Sequence, residues 1–193
     1  MTAAVPTEDV QLRFRGLRIH AQVCGEGEPL LLYSGVWGEV RLWERLLPHL
    51  AGFRTIAFDP PGIGRSQRPL YPLSVWSLAQ MGATVLDAFG RLRAEPQLVR
   101  SMHIRRPADT LAALYRMAGL FGWTSLPWLW AIGQPTLILA GDDDPVAPLV
   151  NHRVIASLMP QATLHTVAGG GHLVLLDSAQ QIGPVITGFL QEN

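Results

Sequence analysis

The stretch Gln134-Pro-Thr-Leu-Ile-Leu-Ala-Gly-Asp-Asp-Asp-Pro145 decides the fold. Its apolar run, Thr136 to Leu139, stops abruptly at a glycine and three aspartates, as a buried parallel strand does where it enters a loop. Downstream the same order returns. Thr163 to Val167 reads as a strand, Ala168-Gly-Gly-Gly171 as a flexible loop, and His172 follows directly. A helical stretch near Leu149 to Leu158 separates the two strands, and a closing helix spans about Ser178 to Leu190. Two loops at the carboxyl ends of strands therefore carry carboxylates in one case and an imidazole in the other.

Working outward, Gln11 to Arg15 and Arg18 to Val23 alternate in polarity around Gly16, the pattern of a hairpin. Leu30 to Tyr33 is a short unbroken apolar run ending at Ser34-Gly35. Glu39 to Leu50 places Val40, Trp43, Leu46, Leu47 and Leu50 at helical spacing, which predicts a helix. Thr55 to Phe58 predicts a strand that ends at Asp59-Pro-Pro-Gly62, where two prolines forbid continuation. Ser74 to Phe89 repeats the helical period with Leu78, Met81, Val85, Leu86 and Phe89, and Ser74 is placed to cap it. Strands separated by helical patterns argue a mostly parallel α/β sheet, with functional groups gathered at the carboxyl ends of its strands. Asp59, Gly35, Asp142 to Asp144 and His172 all fall at such ends.

Composition sets the class. The 193 residues hold 15 Lys plus Arg and 15 Asp plus Glu, so the charge balance offers no footprint for nucleic acid or an anionic membrane surface. No apolar run approaches the ~18 residues of a membrane span, and residues 1–10 lack the cationic and apolar regions of a signal peptide. Cys24 is the one cysteine, which excludes an internal disulfide framework. The expectation is a cytoplasmic protein without a metal or cofactor. No His-x-x-x-His or carboxylate cluster supports a metal site on the three aspartates.

Gly62-Ile-Gly64-Arg-Ser66 after Asp59-Pro60-Pro61, together with Gly141 to Pro145 and Gly171-His172, resembles the α/β-hydrolase family. The strings Gly122-Trp-Thr-Ser125 and Ala140-Gly-Asp-Asp-Asp-Pro145 narrow the likeness to intracellular medium-chain-length poly(3-hydroxyalkanoate) depolymerases. That resemblance implies an α/β-hydrolase-type sheet and an ester-hydrolysing site of the Ser-His-Asp kind. It also implies a hydrophobic 3-hydroxyalkanoate ester or polyester granule as the partner. One element is missing. The triad in this family runs Ser, then Asp or Glu, then His, with the Ser in a G-x-S-x-G turn; no such string occurs here. Leu86-Asp-Ala-Phe-Gly90, which is similar to the helix before that turn, runs straight into Arg91-Leu-Arg-Ala-Glu-Pro96, which is similar to mid-cap sequence. At roughly 30 residues per strand-helix-strand unit, one such module is expected to be absent between Gly90 and Arg91. The implied organisation is one domain: residues 1–90 and 131–193 form a shortened core, and residues 91–130 a partial helical cap.

The resemblance assigns roles as follows. Asp144, rather than Asp142 or Asp143, is the acid that orients His172, and His172 is the general base. Val36 holds the position whose backbone N–H would help bind an oxyanion. Ser101 lies at about the right distance beyond Asp59 for a nucleophile, but Val99 and His103 stand where the tight turn requires small residues. Ser34 and Ser66 read as turn serines, Cys24 as inert, and Asp59 as structural. The remaining histidines read as surface or satisfied core residues. Trp123, Trp128 and Trp130 divide between two roles, filling a cap's own core or lining an acyl pocket or granule-facing surface. Without the module, Leu30 to Tyr33 could pair directly with Thr136 to Leu139.

Overall fold

The structure, a computed structural model, describes residues 7–34, 38–91, 118 and 124–193. They belong to two compact units, Met1–Phe121 and Gly122–Asn193. In the first, β1 (Thr7–Phe14) and β2 (Leu17–Cys24) form the expected antiparallel hairpin. Arg15 at φ 48° and Gly16 at φ 80° make its two-residue turn; positive φ at both central positions matches the right-handed twist of the strands. The Arg15 side chain crosses to helix α1 (Val75–Arg91), bonding Ser77 Oγ at 3.2 Å and Gln80 Oε1 at 2.6 Å.

The strand β4 (Phe53–Phe58) lies antiparallel to β2 and parallel to β3 (Glu28–Leu32), giving the order β1-β2-β4-β3. Alternate residues of β2 (Ile19, Ala21, Val23) and of β4 (Ile56, Phe58) share a core with Met81, Val85 and Phe89 of α1. Those three helix positions recur every four residues and so occupy one stripe. Ser74 caps α1 with a 3.3 Å bond from the Ser77 N–H to its hydroxyl. Tyr33 meets Phe58 edge-on, with centroids 4.9 Å apart, and donates its hydroxyl to the Leu78 carbonyl.

One expectation changes. The helix read over Glu39 to Leu50 is instead two single 3-10 turns, Val40–Trp43 and Leu47–Leu50. Pro48 lacks the N–H that a continuous helix would need at that point. The apolar stripe is real even so, because Val40, Trp43, Leu46 and Leu50 are all buried.

The buried group that organises the carboxyl ends of this first sheet is Asp59. One carboxyl oxygen accepts the Val40 N–H at 2.9 Å; the other accepts the Arg65 N–H at 2.9 Å and meets His20 Nδ1 at 2.7 Å. His20 Nε2 continues to Asp9 at 3.0 Å, and Asp9 also receives Gln22 and Arg65. Ser66 is structural as well, accepting the His20 N–H and donating to the Asp59 carbonyl. Gly64, at φ +52°, is needed because a Cβ there would run into the Asp59 carboxyl group.

In the second unit β5 (Thr136–Gly141) and β6 (Ala162–Val167) are parallel and joined through α2 (Leu149–Leu158). The chain closes with α3 (Val174–Asp177) and α4 (Ala179–Glu192). Val167, Val174 and Ile182 make its small core, with Leu139, Leu175 and Ile186 packed against it. Among the described residues no helix is long and apolar enough to cross a membrane.

Asp59→Ala is expected to destabilise the chain by about 3–5 kcal/mol, because it strands the Val40 and Arg65 N–H groups and the buried His20 ring at once. Asp59→Asn, which keeps one acceptor oxygen, should cost less. Urea denaturation of both variants measures the order; equal losses would mean that the side chain matters for shape alone.

Candidate active site

The geometry of the second unit starts with two glycines. Gly141 ends β5 directly beneath the loop that follows β6, and a Cβ on it would overlap the Gly170 carbonyl. From the other side, a Cβ on Gly170 would lie 3.1 Å from the Gly141 Cα and 3.0 Å from the Val167 carbonyl oxygen. The two loops therefore cross backbone on backbone. Hydrogen bonds lock the crossing: Asp142 N–H to Val167 at 3.2 Å, Asp143 N–H to Gly170 at 3.0 Å, and Gly169 N–H to Asp142 Oδ1 at 2.6 Å. Gly169, at φ +67°, supplies the left-handed turn.

This crossing sets Asp144 beside His172. Asp144 Oδ2 lies 3.0 Å from His172 Nδ1, while Oδ1 accepts the N–H groups of Val146 at 2.8 Å and Ala147 at 2.9 Å. The Asp144 side chain is 6% exposed and that of His172 52%. Burial pushes the Asp144 carboxyl upward, but the Ala147 N–H, the His172 bond and charge, and the Val146 N–H together hold it below the usual range. An ionised Asp144 can only accept, so Nδ1 of His172 carries a proton, and in the neutral ring Nε2 presents a lone pair. No described residue bonds Nε2. The arrangement is an oriented imidazole with one ring nitrogen unbonded among the described residues.

A cavity of about 310 Å³ lies against the pair. Leu137, Leu139, Ala140, Val174 and Leu175 give it apolar walls, with Asp144, His152 and His172 as its polar lining. Asp142 and Asp143 do not reach the imidazole: Asp142 serves the loop crossing, and Asp143 contributes its backbone N–H. Ser34 and Ser66 are both buried and bonded within their own turns, Ser34 Oγ to the Gly38 carbonyl at 2.7 Å. Cys24 is buried. Val36, Ser101 and Trp123 lie outside the described residues. Trp128 and Trp130 are 62% and 71% exposed, with each indole N–H turned back to a local carbonyl, so they do not fill a core among the described residues. Reading the sequence missed the cavity and His152; nothing in the α2 helical pattern marks that histidine as lining one.

The sequence profile of the α/β hydrolase fold family matches residues 28–93 and 109–179. The chain belongs to that family. A poly(3-hydroxyalkanoate) depolymerase of Ectopseudomonas oleovorans is 30% identical over 244 aligned positions, spanning 86% of this chain and 85% of the relative. ABHD14B of Rattus norvegicus, provisionally named a protein-lysine deacylase, is 28% identical over 208 positions, spanning 95% and 94%. Among solved structures, E-2-(acetamidomethylene)succinate hydrolase superposes with a TM-score of 0.81 at 17% identity, covering 96% of this chain and 100% of that one. That likeness speaks to the fold alone.

Gly141→Ala should push the two loops apart at a cost of about 1–3 kcal/mol, in the range of overpacking. The His172 Nδ1–H resonance should lose its hydrogen-bonded shift; if it keeps that shift, the glycine contact does not hold the pair together. Acid should act on the same bond. Because the folded-state value of Asp144 is lowered, its stabilising contribution is complete above the unfolded value, about 3.9. It is lost only as pH falls through the lowered folded value. Carbon-13 titration of the Asp144 carboxyl should show that depressed midpoint, and Asp144→Asn should remove this part of the acid dependence of stability.

Proposed function

We infer that this chain is an ester-hydrolase-family protein of the poly(3-hydroxyalkanoate) depolymerase lineage that has kept the acid and base of a Ser-His-Asp site and lost its nucleophile. The observation that carries the reading is the 3.0 Å bond between Asp144 and His172 at the ends of adjacent parallel strands, in a chain with no G-x-S-x-G. In this reading Asp144 is the acid, His172 the base, and Val36 the oxyanion donor. Ser101 is the residue to watch as an unconventional nucleophile.

The depolymerase likeness supports the lineage at 30% identity over most of both chains. It also supports an internal loss. An alignment of 244 positions exceeds the 193 residues available here, so the relative fills positions that this chain lacks. The family match is itself interrupted between residues 93 and 109, near the proposed junction at Gly90 and Arg91. Residues 1–90 and 131–193 then form a shortened core and residues 91–130 a partial cap. The substrate class is a hydrophobic ester, specifically a 3-hydroxyalkanoate, and the setting is the cytoplasm at a polyester granule surface. Serine-dependent turnover is expected to be low, since losing a triad serine costs on the order of 10⁶ in kcat. A second reading, binding to such a granule without catalysis, is favoured by the exposed Trp128 and Trp130.

A fluorophosphonate probe followed by intact-mass measurement tests the first reading. The expected result is no adduct on a sample with folded far-UV circular dichroism. A single adduct that disappears in His172→Ala would overturn the loss of the nucleophile, and peptide mapping would show whether Ser101 carries it.

A further inference from the structure

We propose that the Asp144–His172 pair and the apolar cavity beside it hydrolyse activated carboxylic esters by drawing a proton from water directly, with no covalent enzyme intermediate. The proposal rests on the reading that the chain has no triad serine, and it adds an activity to that reading.

Three features of the second unit meet at one place. First, the base is already oriented. Asp144 fixes His172 through Nδ1, and the lone pair on Nε2 is not consumed by any described residue. Such a pair normally deprotonates a protein hydroxyl, but its chemistry does not require one. Second, half of the imidazole is exposed while its carboxylate partner is shielded. Water therefore reaches the base, while the carboxylate that orients it is largely shielded. Third, His172 lines a cavity with an otherwise largely aliphatic wall. Its volume of about 310 Å³ is near the lower end of small-ligand pockets and roughly twice the ~150 Å³ apolar cavity that takes up benzene. The wall formed by Leu137, Leu139, Val174 and Leu175 suits an uncharged acyl chain or an aryl leaving group. It does not suit a charged headgroup, for which the cavity offers no cation besides its imidazoles.

The step balances without any added reagent. Water attacks the ester carbonyl carbon as its proton passes to His172 Nε2, forming the C–O bond and an imidazolium that the Asp144 carboxylate stabilises. The tetrahedral species collapses, the bond to the leaving oxygen breaks, and the proton held on Nε2 returns to the alcohol or phenolate. Carboxylic acid and alcohol leave, and the histidine is neutral again. Only esters with good leaving groups are expected to react, because no serine alkoxide is available to attack the stronger ester bonds of a polymer.

The test uses the full chain with p-nitrophenyl butyrate as substrate and an equal concentration of free imidazole as the reference. The wild-type chain should exceed that reference, show a normal solvent deuterium isotope effect, and be untouched by prior fluorophosphonate treatment. His172→Ala should lower the enzymatic rate by about 100-fold, the low end for a positioned general base. Asp144→Asn, which keeps the imidazole but permits the wrong tautomer, should fall between the two. Leu137→Phe fills the cavity from a partly exposed position and should raise KM more than it lowers kcat; far-UV circular dichroism and the thermal midpoint check that it folds. Turnover no faster in the folded wild type than in His172→Ala would overturn this proposal and leave the loss of the serine standing. Turnover abolished by the fluorophosphonate, with a serine adduct in the mass spectrum, would overturn both.

Discussion

The second unit depends on a contact with no side chains in it. Where β5 and β6 end, the backbone at Gly141 passes against the backbone at Gly170 so closely that a methyl group has nowhere to go. Everything chemical in that unit is a consequence. The Asp144 carboxyl and the His172 ring are far apart in sequence, and each sits on a loop that could point elsewhere. The glycine crossing, tied by three hydrogen bonds to Val167, Gly170 and Asp142, removes that freedom. Bringing two loop side chains into one geometry costs conformational entropy. Here the backbone has already absorbed that cost before the imidazole and the carboxylate meet, so their single hydrogen bond need not.

The first unit solves a comparable problem with a buried carboxyl group. Asp59 stands at the end of β4 and holds three donors that come from three different segments: Val40, Arg65 and His20. A buried polar network stabilises only when every member is satisfied, and this one extends through His20 to Asp9 and on to Gln22 and Arg65. Its effect is to fix the loops at one end of the sheet, which is where α/β proteins keep their functional groups. The Asp-Pro-Pro-Gly sequence reads as a turn; in the structure it is also the hub around which that end of the sheet is built.

The legible parts of this protein were those governed by periodicity and by local rules. The hairpin at Gly16, the strands around Leu30–Leu32, Thr55–Phe58, Thr136–Leu139 and Thr163–Val167, and the cap at Ser74 follow from alternation, apolar runs and turn chemistry. That Asp144, among the three aspartates, faces His172 was legible through family resemblance, and a strand that stops at several aspartates advertises its loop. What stayed hidden was of two sorts. The stripe of Val40, Trp43, Leu46 and Leu50 has helical spacing and is buried, yet Pro48 breaks the hydrogen bonding into two 3-10 turns. A pattern records which face is covered, and it does not record which hydrogen bonds close. Long-range contacts were the second sort. Nothing local in Gly141 announces Gly170, and nothing in the α2 helix announces that His152 will line a cavity.

On the proposed loss of the nucleophile, the remaining pair takes on a different physical meaning. In a complete triad the histidine's work is bounded by the hydroxyl beside it, which fixes where the proton comes from and excludes water from the same position. Without such a hydroxyl, as proposed, the imidazole keeps its orientation, because Asp144 and the glycine crossing set it. Its open nitrogen then answers to whatever donor the surroundings admit. Half of the imidazole is exposed, so on the same proposal that donor is water. The neighbouring wall is aliphatic, so the electrophile that stays nearby is an uncharged one. On this proposal, a site of the Ser-His-Asp kind retains the more general capacity to move a proton off any oxygen placed against it. What falls is the driving force of the attack, not the placement of the base.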